Sequence, residues 1–277
     1  MTLHCAPVSS EWPNKRASLF DEITVLVLTY DEAPNIRGTL DRLFWAHRVI
    51  VVDSFSLDET CDIARKYENV KVLQRRFDNH ADQWNYGLDQ VDSEWVLSLD
   101  ADYQITDYFV DEIRTLIPPK AVNAYFARFE YCIEGRSLRA TLYPPRAVLF
   151  RKSSCRYEQE GHTQILRIDG EHGWLQSAIY HDDKKSLNHW LRAQYRYALL
   201  EARHLLTASS SELKLADRVR RLMLPAPFLV FFYTLFVKGL ILDGWPGWYY
   251  VFQRTLAEIL LSLRLIETKF KTRTPAH

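Results

Sequence analysis

Asp100 and Asp102, separated by one alanine, close a run of apolar residues in "EWVLSLDADYQI" (94–105). Carboxylates at that spacing are hard oxygen donors. A divalent cation such as Mg²⁺ or Mn²⁺ takes one or two of them and completes its shell with phosphate oxygens and water. Aspartate also suits a plain turn at a strand end, so the pair gains meaning from its company. Asp31 and Glu32 follow "ITVLVLT" (23–29), and Asp53 ends "RVIVVD" (48–53). Short β-branched runs without polar alternation are strands buried on both faces, as in a parallel sheet covered by helices. Ligands of such sheets sit beyond the carboxyl ends of the strands. Three separate loops therefore bring carboxylates towards one edge.

The elements that hold those acids alternate. Pro34 suits a first helical turn, and Ile36, Leu40, Leu43 and Phe44 recur at helical spacing. The patterns predict a helix over 57–67, a strand over 70–74, a helix over 78–90 and a strand over 94–100. Strand–helix alternation with short links implies right-handed crossovers and a doubly wound α/β domain. Beyond about residue 120, strands are predicted over 121–131, 146–152 and 163–168, building an acceptor-facing lobe. A helix over 186–206 follows. The expected organisation is an N-terminal extension (1–20), an α/β domain (21–210) and a C-terminal helical segment (211–277).

What is missing narrows the chemistry. Thr29-Tyr30-Asp31-Glu32 follows the first strand where a dinucleotide-binding GxGxxG would need glycines, and no GxxxxGK[ST] loop occurs. A diphosphate would instead be held through a cation carried on side-chain oxygens. Thirty-five basic and 35 acidic residues cancel, which gives no electrostatic reason to expect nucleic acid as the main partner, since phosphate binding needs a clustered basic excess. Cys5, Cys61, Cys132 and Cys155 show no CxxC spacing and read as reduced thiols of a cytoplasmic protein. The first 20 residues lack the apolar stretch of a signal peptide, so export is not expected.

The chain resembles the inverting family 2 glycosyltransferases of GT-A fold, and within them the subgroup that builds lipopolysaccharide core and related surface glycans. The resemblance is carried by "VLVLTYDEAPNIRGTLDRL", "VIVVDSFSLDETCDIARKY", "ADQWNYGLDQVDSEWVLSLDADY" and "LFRK", and resumes in "IYHDDKKSLNHWLRAQYRYALLEA" and "GLILDGWPGWYYVF". It implies a GT-A (nucleotide-diphospho-sugar transferase-like), mostly parallel sheet flanked by helices. It implies transfer of a hexose from a nucleotide-diphosphate sugar to a glycan or lipid-linked acceptor, with a divalent cation (Mn²⁺ or Mg²⁺) as cofactor. Thr29, Glu32 and Asp53 would line the nucleotide pocket, Asp100 would face the ribose or diphosphate, and Asp102 and His181 would hold the metal. Gln83 and Asn85 stand where the family has sugar- or diphosphate-facing polar residues.

Two positions depart from the subgroup. Its DxD is usually followed by an acid, and here Tyr103 follows. Its acceptor-side His-Glu is here His162-Thr163, in "YEQEGHTQ". Inversion needs a base to take the proton of the attacking hydroxyl. Glu160 is the substitute candidate, with Glu158, Asp182 and Asp183 behind it, and His162 could itself serve.

"LMLPAPFLVFFYTLFVKGLIL" (222–242) is apolar, but Pro225 and Pro227 are expected to delay a helix to about Phe228. From there to Leu242 it would be roughly 22 Å long, short of the ~30 Å hydrocarbon core. Lys214, Arg218, Arg220 and Arg221 before it, and Trp245, Trp248, Tyr249 and Tyr250 after it, suit a helix lying on a membrane surface. The expected location is cytoplasmic, peripheral on the inner membrane. Three other classes compete. A nucleotidyltransferase expects a glycine-rich basic loop after its first strand. A nucleotide-sugar-binding protein without transferase activity would tolerate the missing base. A metal-dependent hydrolase expects several histidines beside the acids.

Overall fold

A computed structural model describes residues 19–160, 163–209, 211 and 213–271. Four strands, β1 (Ile23–Thr29), β2 (Arg48–Asp53), β3 (Val70–Gln74) and β4 (Trp95–Asp100), run parallel in the order β4-β1-β2-β3. The first three coincide with the predicted runs residue for residue. Val25, Leu26 and Val27 are fully buried because both faces are covered. Ile36, Leu40 and Phe109 lie on one side, and Trp84, Leu88 and Phe150 on the other.

The connections carry α1 (Ile36–Leu40), α2 (Thr60–Ala64) and α3 (His80–Asp89). α2 is shorter than the predicted 57–67. At its start the Asp58 carboxylate accepts from the Thr60 amide at 3.0 Å, forming a turn instead of a helical entry. At its end Lys66 and Tyr67 bond to carbonyls three residues back, the tightening usual in a last turn.

After β4 come β5 (Tyr103–Gln104), α4 (Asp107–Thr115), β6 (Val122–Ala127), β7 (Phe129–Ile133), β8 (Arg136–Ser137) and β9 (Arg146–Arg151). Then follow β10 (Cys155–Glu160), β11 (Thr163–Ile168), β12 (Glu171–Trp174) and β13 (Ile179–His181). The main sheet has seven strands in the order β12-β6-β9-β4-β1-β2-β3, with β9 antiparallel to β4 and β6. The predicted strand 121–131 is two strands. β6 stays in the main sheet, while β7 leaves at Arg128 to join the smaller sheet β5-β13-β7-β8. Strands β10 and β11 form a hairpin packed on α3.

Helices α5 (Leu187–Thr207), α6 (Leu215–Arg221), α7 (Pro225–Phe232) and α8 (Trp245–Lys271) complete the chain. The prolines do not delay α7 to Phe228; they open it. Pro225 and Pro227 occupy its first turn, where amide hydrogens have no intrahelical partner to lose. A π turn (Tyr233–Val237), left-handed Gly239 (φ 71°) and a short 3₁₀ turn (Leu240–Asp243) then break the apolar run. Among the described residues no helix is long and apolar enough to cross a membrane. A mixed α/β sheet flanked by helices, followed by a helical segment, is the fold class expected from the sequence.

Candidate functional site

Parallel pairing decides where the acids go. Thr29 is the register partner of Asp53, and Leu28 that of Asp100, so all three strands deliver their last residues to one edge. Asp53 is fully buried. Its carboxylate accepts from Thr29 Oγ1 (2.9 Å), Ser56 N (2.9 Å), Ser56 Oγ (2.5 Å) and Gln74 Nε2 (3.2 Å). Burial pushes its pKa up, but the Ser56 and Gln74 hydrogen bonds more than offset that and hold it below the ordinary value.

The loops after β1 and β2 are clipped together. Asp31 N donates to Ser56 Oγ, Leu57 N to Asp31 Oδ1 and Glu32 N to Thr60 Oγ1, at 2.7–2.8 Å. Asp31 (φ 52°) and Phe55 (φ 61°) both sit in the left-handed region. For a bulky residue such as Phe55 that costs on the order of 1 kcal/mol or more and persists only where surroundings impose it. The clipped loops form one wall of an open cleft of about 530 Å³, whose lining includes Asp31, Leu57, Asp58, Lys185, Ser186 and His189.

The α5 entry, with Lys185, Ser186 and His189, forms the facing wall, and the second acid group lies outside this lining. Asp102 Oδ2 lies 3.1 Å from His181 Nε2, because β13 pairs antiparallel with β5 and sets His181 opposite Tyr103. Burial disfavours the Asp102 charge, yet the His181 imidazole holds its carboxyl below the usual range. Reciprocally, burial disfavours the imidazolium and Asp102 raises its pKa. Glu32 Oε1 accepts from Lys185 Nζ at 2.6 Å, and its Oε2 from Asn35 Nδ2 at 2.9 Å. Burial pushes the Glu32 carboxyl up, while the Lys185 ammonium beside it favours the charged form.

Other expected residues are spent elsewhere. Gln83 accepts from Arg75 at 2.7 Å and donates to Ser54 Oγ at 3.1 Å, bracing the end of β2. The Asn85 amide makes both hydrogen bonds to the Tyr157 backbone (2.9 and 3.0 Å), fixing the β10–β11 hairpin to α3. Glu158 is paired with Arg167 at 2.7 Å on the surface. Asp183 accepts from Asn35 Nδ2 and Lys185 N (2.9 and 3.1 Å), and Asp182 accepts from Gly135 N at 3.3 Å. Glu160 ends β10, opposite Thr163 in the hairpin register. His162 lies outside the described residues.

Three site residues escaped the sequence reading. Lys185 and Asn35 tie the α5 entry to the first loop, and "HDDKK" was the available signal for Lys185. Arg146 opens β9, 3.9 Å from Asp100; its signal was positional, and needed β9 to be known as antiparallel to β4.

A divalent cation fits these donors. Asp102 Oδ1 is buried without a hydrogen-bond partner, an uncompensated carboxylate oxygen that a cation would relieve. The 3.1 Å between Asp102 Oδ2 and His181 Nε2 is also the edge between adjacent ligands of an octahedral cation at about 2.1 Å. Among the described residues no three His, Cys, Asp or Glu side chains converge as a closed cage. The remaining ligands would be substrate oxygens and water.

A mixed, helix-flanked sheet with acids along its carboxyl edge is the GT-A type of fold expected from the sequence. A family model described as "Glycosyl transferase family 2" matches residues 24–167, and this chain belongs to glycosyl transferase family 2. An uncharacterized glycosyltransferase of Rickettsia conorii is 28% identical over 111 residues, 40% of this chain and 39% of that protein. One from Rickettsia bellii is 28% identical over 110 residues, 39% of this chain and 37% of that protein. The matched stretch is thus less than half the length of these relatives. Among solved structures, Staphylococcus aureus TarS 1–349 in complex with UDP-GlcNAc is 17% identical with a TM-score of 0.42, over 92% of this chain and 93% of that one. Glucosyl-3-phosphoglycerate synthase of Mycobacterium tuberculosis, with Mn²⁺, UDP and glucosyl-3-phosphoglycerate, is 17% identical with a TM-score of 0.35, over 40% and 44%.

Proposed function

We propose that this protein is an inverting hexosyltransferase. It moves a hexose from a nucleotide-diphosphate sugar to a glycan or lipid-linked acceptor in lipopolysaccharide or cell-surface polysaccharide synthesis. The observation that carries the reading is the buried Asp102–His181 pair with its unmatched carboxylate oxygen, at the sheet edge where Asp53 and Asp100 also end. Family membership supports it, and the UDP and Mn²⁺ named for the M. tuberculosis enzyme agree with it in chemistry.

On this reading the clipped loops after β1 and β2 receive the nucleoside. Asp53, with its hydrogen-bonding capacity satisfied by the protein, shapes that pocket. Asp102 and His181 hold the divalent cation, which neutralises charge on the leaving diphosphate. Asp100 faces the diphosphate. Glu160 takes the proton of the attacking acceptor hydroxyl, since Asp182 and Asp183 are committed to backbone and side-chain donors and Glu158 to Arg167. Residues 21–210 form the catalytic domain, and the helices of 211–277 rest on the cytoplasmic face of the inner membrane.

A thermal-shift panel of UDP-, GDP- and dTDP-sugars with and without Mn²⁺ tests the reading. One sugar nucleotide should raise the melting temperature by several degrees in Mn²⁺ and by much less in EDTA. No shift with any member overturns it. A nucleotide-sugar-binding protein without transfer is the second reading, favoured by Thr163 at the place of the family's acid. It requires the same stabilisation with no release of nucleoside diphosphate.

A further inference from the structure

Arg146 opens β9, which runs antiparallel to β4 with Trp95 opposite Arg151, Val96 opposite Phe150 and Leu97 opposite Leu149. Continued to the end of β4, that register sets Arg146 opposite Asp100, and the guanidinium stands 3.9 Å from the Asp100 carboxylate. That is too long for a hydrogen bond. Among the described residues no acceptor takes the N–H donors of this guanidinium, and its side chain is 35% exposed. The neighbouring cations are already engaged: Lys185 on Glu32 at 2.6 Å, and Arg75 on Gln83 at 2.7 Å and Asp78 at 3.0 Å.

The guanidinium is nevertheless held in place. Its centre lies 5.0 Å from the centroid of the Tyr143 ring, a cation–π contact. Tyr143 is itself fixed by a hydroxyl–hydroxyl hydrogen bond to Tyr103 and by edge-on packing against His181 at 4.6 Å. Pro144 and Pro145 stiffen the link between ring and arginine. One aromatic wedge thus has the Asp102–His181 pair on one side and an arginine with open donors on the other. A planar, preoriented set of N–H donors matches the oxygens of a phosphate two at a time. Asp100 and Asp102 also make this edge too acidic to receive a diphosphate without compensating cations.

We propose that Arg146 is a second cationic anchor for the donor's diphosphate, and that Asp100 orients the guanidinium in the free protein without satisfying it. The inference rests on the reading of the protein as a nucleotide-sugar transferase. In that transfer the acceptor oxygen bonds to the anomeric carbon while its proton passes to the base. The bond from that carbon to the phosphate oxygen breaks with its electron pair, and the nucleoside diphosphate leaves with added negative charge. Arg146 donates hydrogen bonds to those oxygens.

Isothermal titration in Mn²⁺ tests this, with UDP, GDP, dTDP and the nucleosides uridine, guanosine and thymidine as probes. The proteins are the unaltered chain, Arg146→Ala, Arg146→Lys and the control Arg48→Ala. Arg48 pairs with Asp92 at the opposite end of the sheet. The expected result is a diphosphate affinity about ten- to hundredfold weaker in Arg146→Ala. Arg146→Lys should be intermediate, Arg48→Ala unchanged, and nucleoside affinity the same in all four. Equal diphosphate affinity in Arg146→Ala or Arg146→Lys and the unaltered chain overturns the proposal and leaves the transferase reading standing. An equal loss for nucleoside and diphosphate also overturns it, because the damage is then to the pocket as a whole. If the unaltered chain binds none of the diphosphates, the transferase reading fails and this inference falls with it.

Discussion

Glu32 and Lys185, 153 residues apart in sequence, form a 2.6 Å ion pair in which each side chain is 13% exposed. It joins the loop after β1 to the entry of α5, and Asn35 reinforces it by donating to Glu32 and accepting from the Lys184 amide. An ion pair this buried is more expensive to break than it is valuable to have, because removing one partner leaves the other charge desolvated.

Lys185→Ala is therefore expected to lower unfolding free energy by about 3 kcal/mol. Glu32→Gln should cost somewhat less, about 2 kcal/mol, since the amide oxygen still accepts a hydrogen bond although the Lys185 charge loses its counter-charge. Chemical denaturation of the two variants measures both. Equal, near-zero losses would show that the pair does not order the α5 entry.

Asp53 gives the pH dependence its sign. Its carboxyl is held below the ordinary value in the folded protein, so on acidification the unfolded chain takes the proton first, near pH 4. Stability from this group is complete above that pH and is lost as pH falls through the lower, folded value. Asp53→Asn should be less stable at pH 7 and should lose less on going from pH 5 to pH 3. Asp89, held down by Arg156, keeps its own share of the acid sensitivity in both proteins. Urea midpoints at pH 7, 5 and 3 supply the comparison. Parallel curves for variant and parent would remove Asp53 from the acid response.

Three strands of the parallel half, β1, β2 and β4, were legible because they are buried on both faces, which leaves apolar runs with acids at or just beyond their ends; the edge strand β3 is half-buried and ends in Gln74. Burial patterns also explain the misses. Arg128 lets one predicted strand leave the main sheet, and the change of sheet leaves no trace in hydropathy. β10 and β13 are short or half-polar, and neither has a run to find. Asp102 and His181, read from the sequence as one pair, do lie side by side, whereas the approach of Arg146 to Asp100 was not foreseen, because a residue at the start of an antiparallel strand meets the carboxyl edge only once strand direction is known. Gln83 and Asn85 were correctly placed on a helix beside the site, but their partners are backbone and side-chain groups of β10 and the β2–β3 ends, contacts that one sequence does not encode locally. Tyr103 replaces the family's acid with a ring 3% exposed, hydrogen-bonded to Tyr143 and packed against Phe129.

Asp102→Asn keeps the size of the side chain and removes its charge. The unliganded protein should stay folded, with a melting temperature within a few degrees of the parent. Its Mn²⁺-dependent stabilisation by UDP, GDP or dTDP should disappear, and turnover should fall by orders of magnitude. His181→Ala should weaken the Mn²⁺ effect less, as the carboxylates remain. Near-normal turnover in a folded Asp102→Asn protein removes this residue from the mechanism.

The helical segment after Lys214 makes its own prediction. On α8, Tyr250, Val251, Leu261 and Leu265 are buried against the rest of the molecule, yet Phe252, Leu256, Ile259 and Leu263 recur at helical spacing and are exposed. α7 packs on α8 and turns Phe228, Leu229 and Phe232 outward; Phe236 continues that face in the π turn. Two neighbouring elements with outward apolar stripes form a patch beyond the scattered apolar residues of an ordinary surface. Trp245, half exposed at the start of α8, is the residue type that favours a lipid–water boundary. The proposed membrane seat therefore predicts co-sedimentation with vesicles of phosphatidylethanolamine and phosphatidylglycerol. Binding should weaken in high salt, and Phe232→Glu combined with Phe252→Glu should reduce it at least tenfold, since each charge must leave the interface. Donor binding measured without vesicles should be unchanged in that double variant. If the parent chain instead stays in the supernatant and elutes as a dimer that the double variant splits, the apolar patch is an interface between two copies and the membrane assignment is wrong.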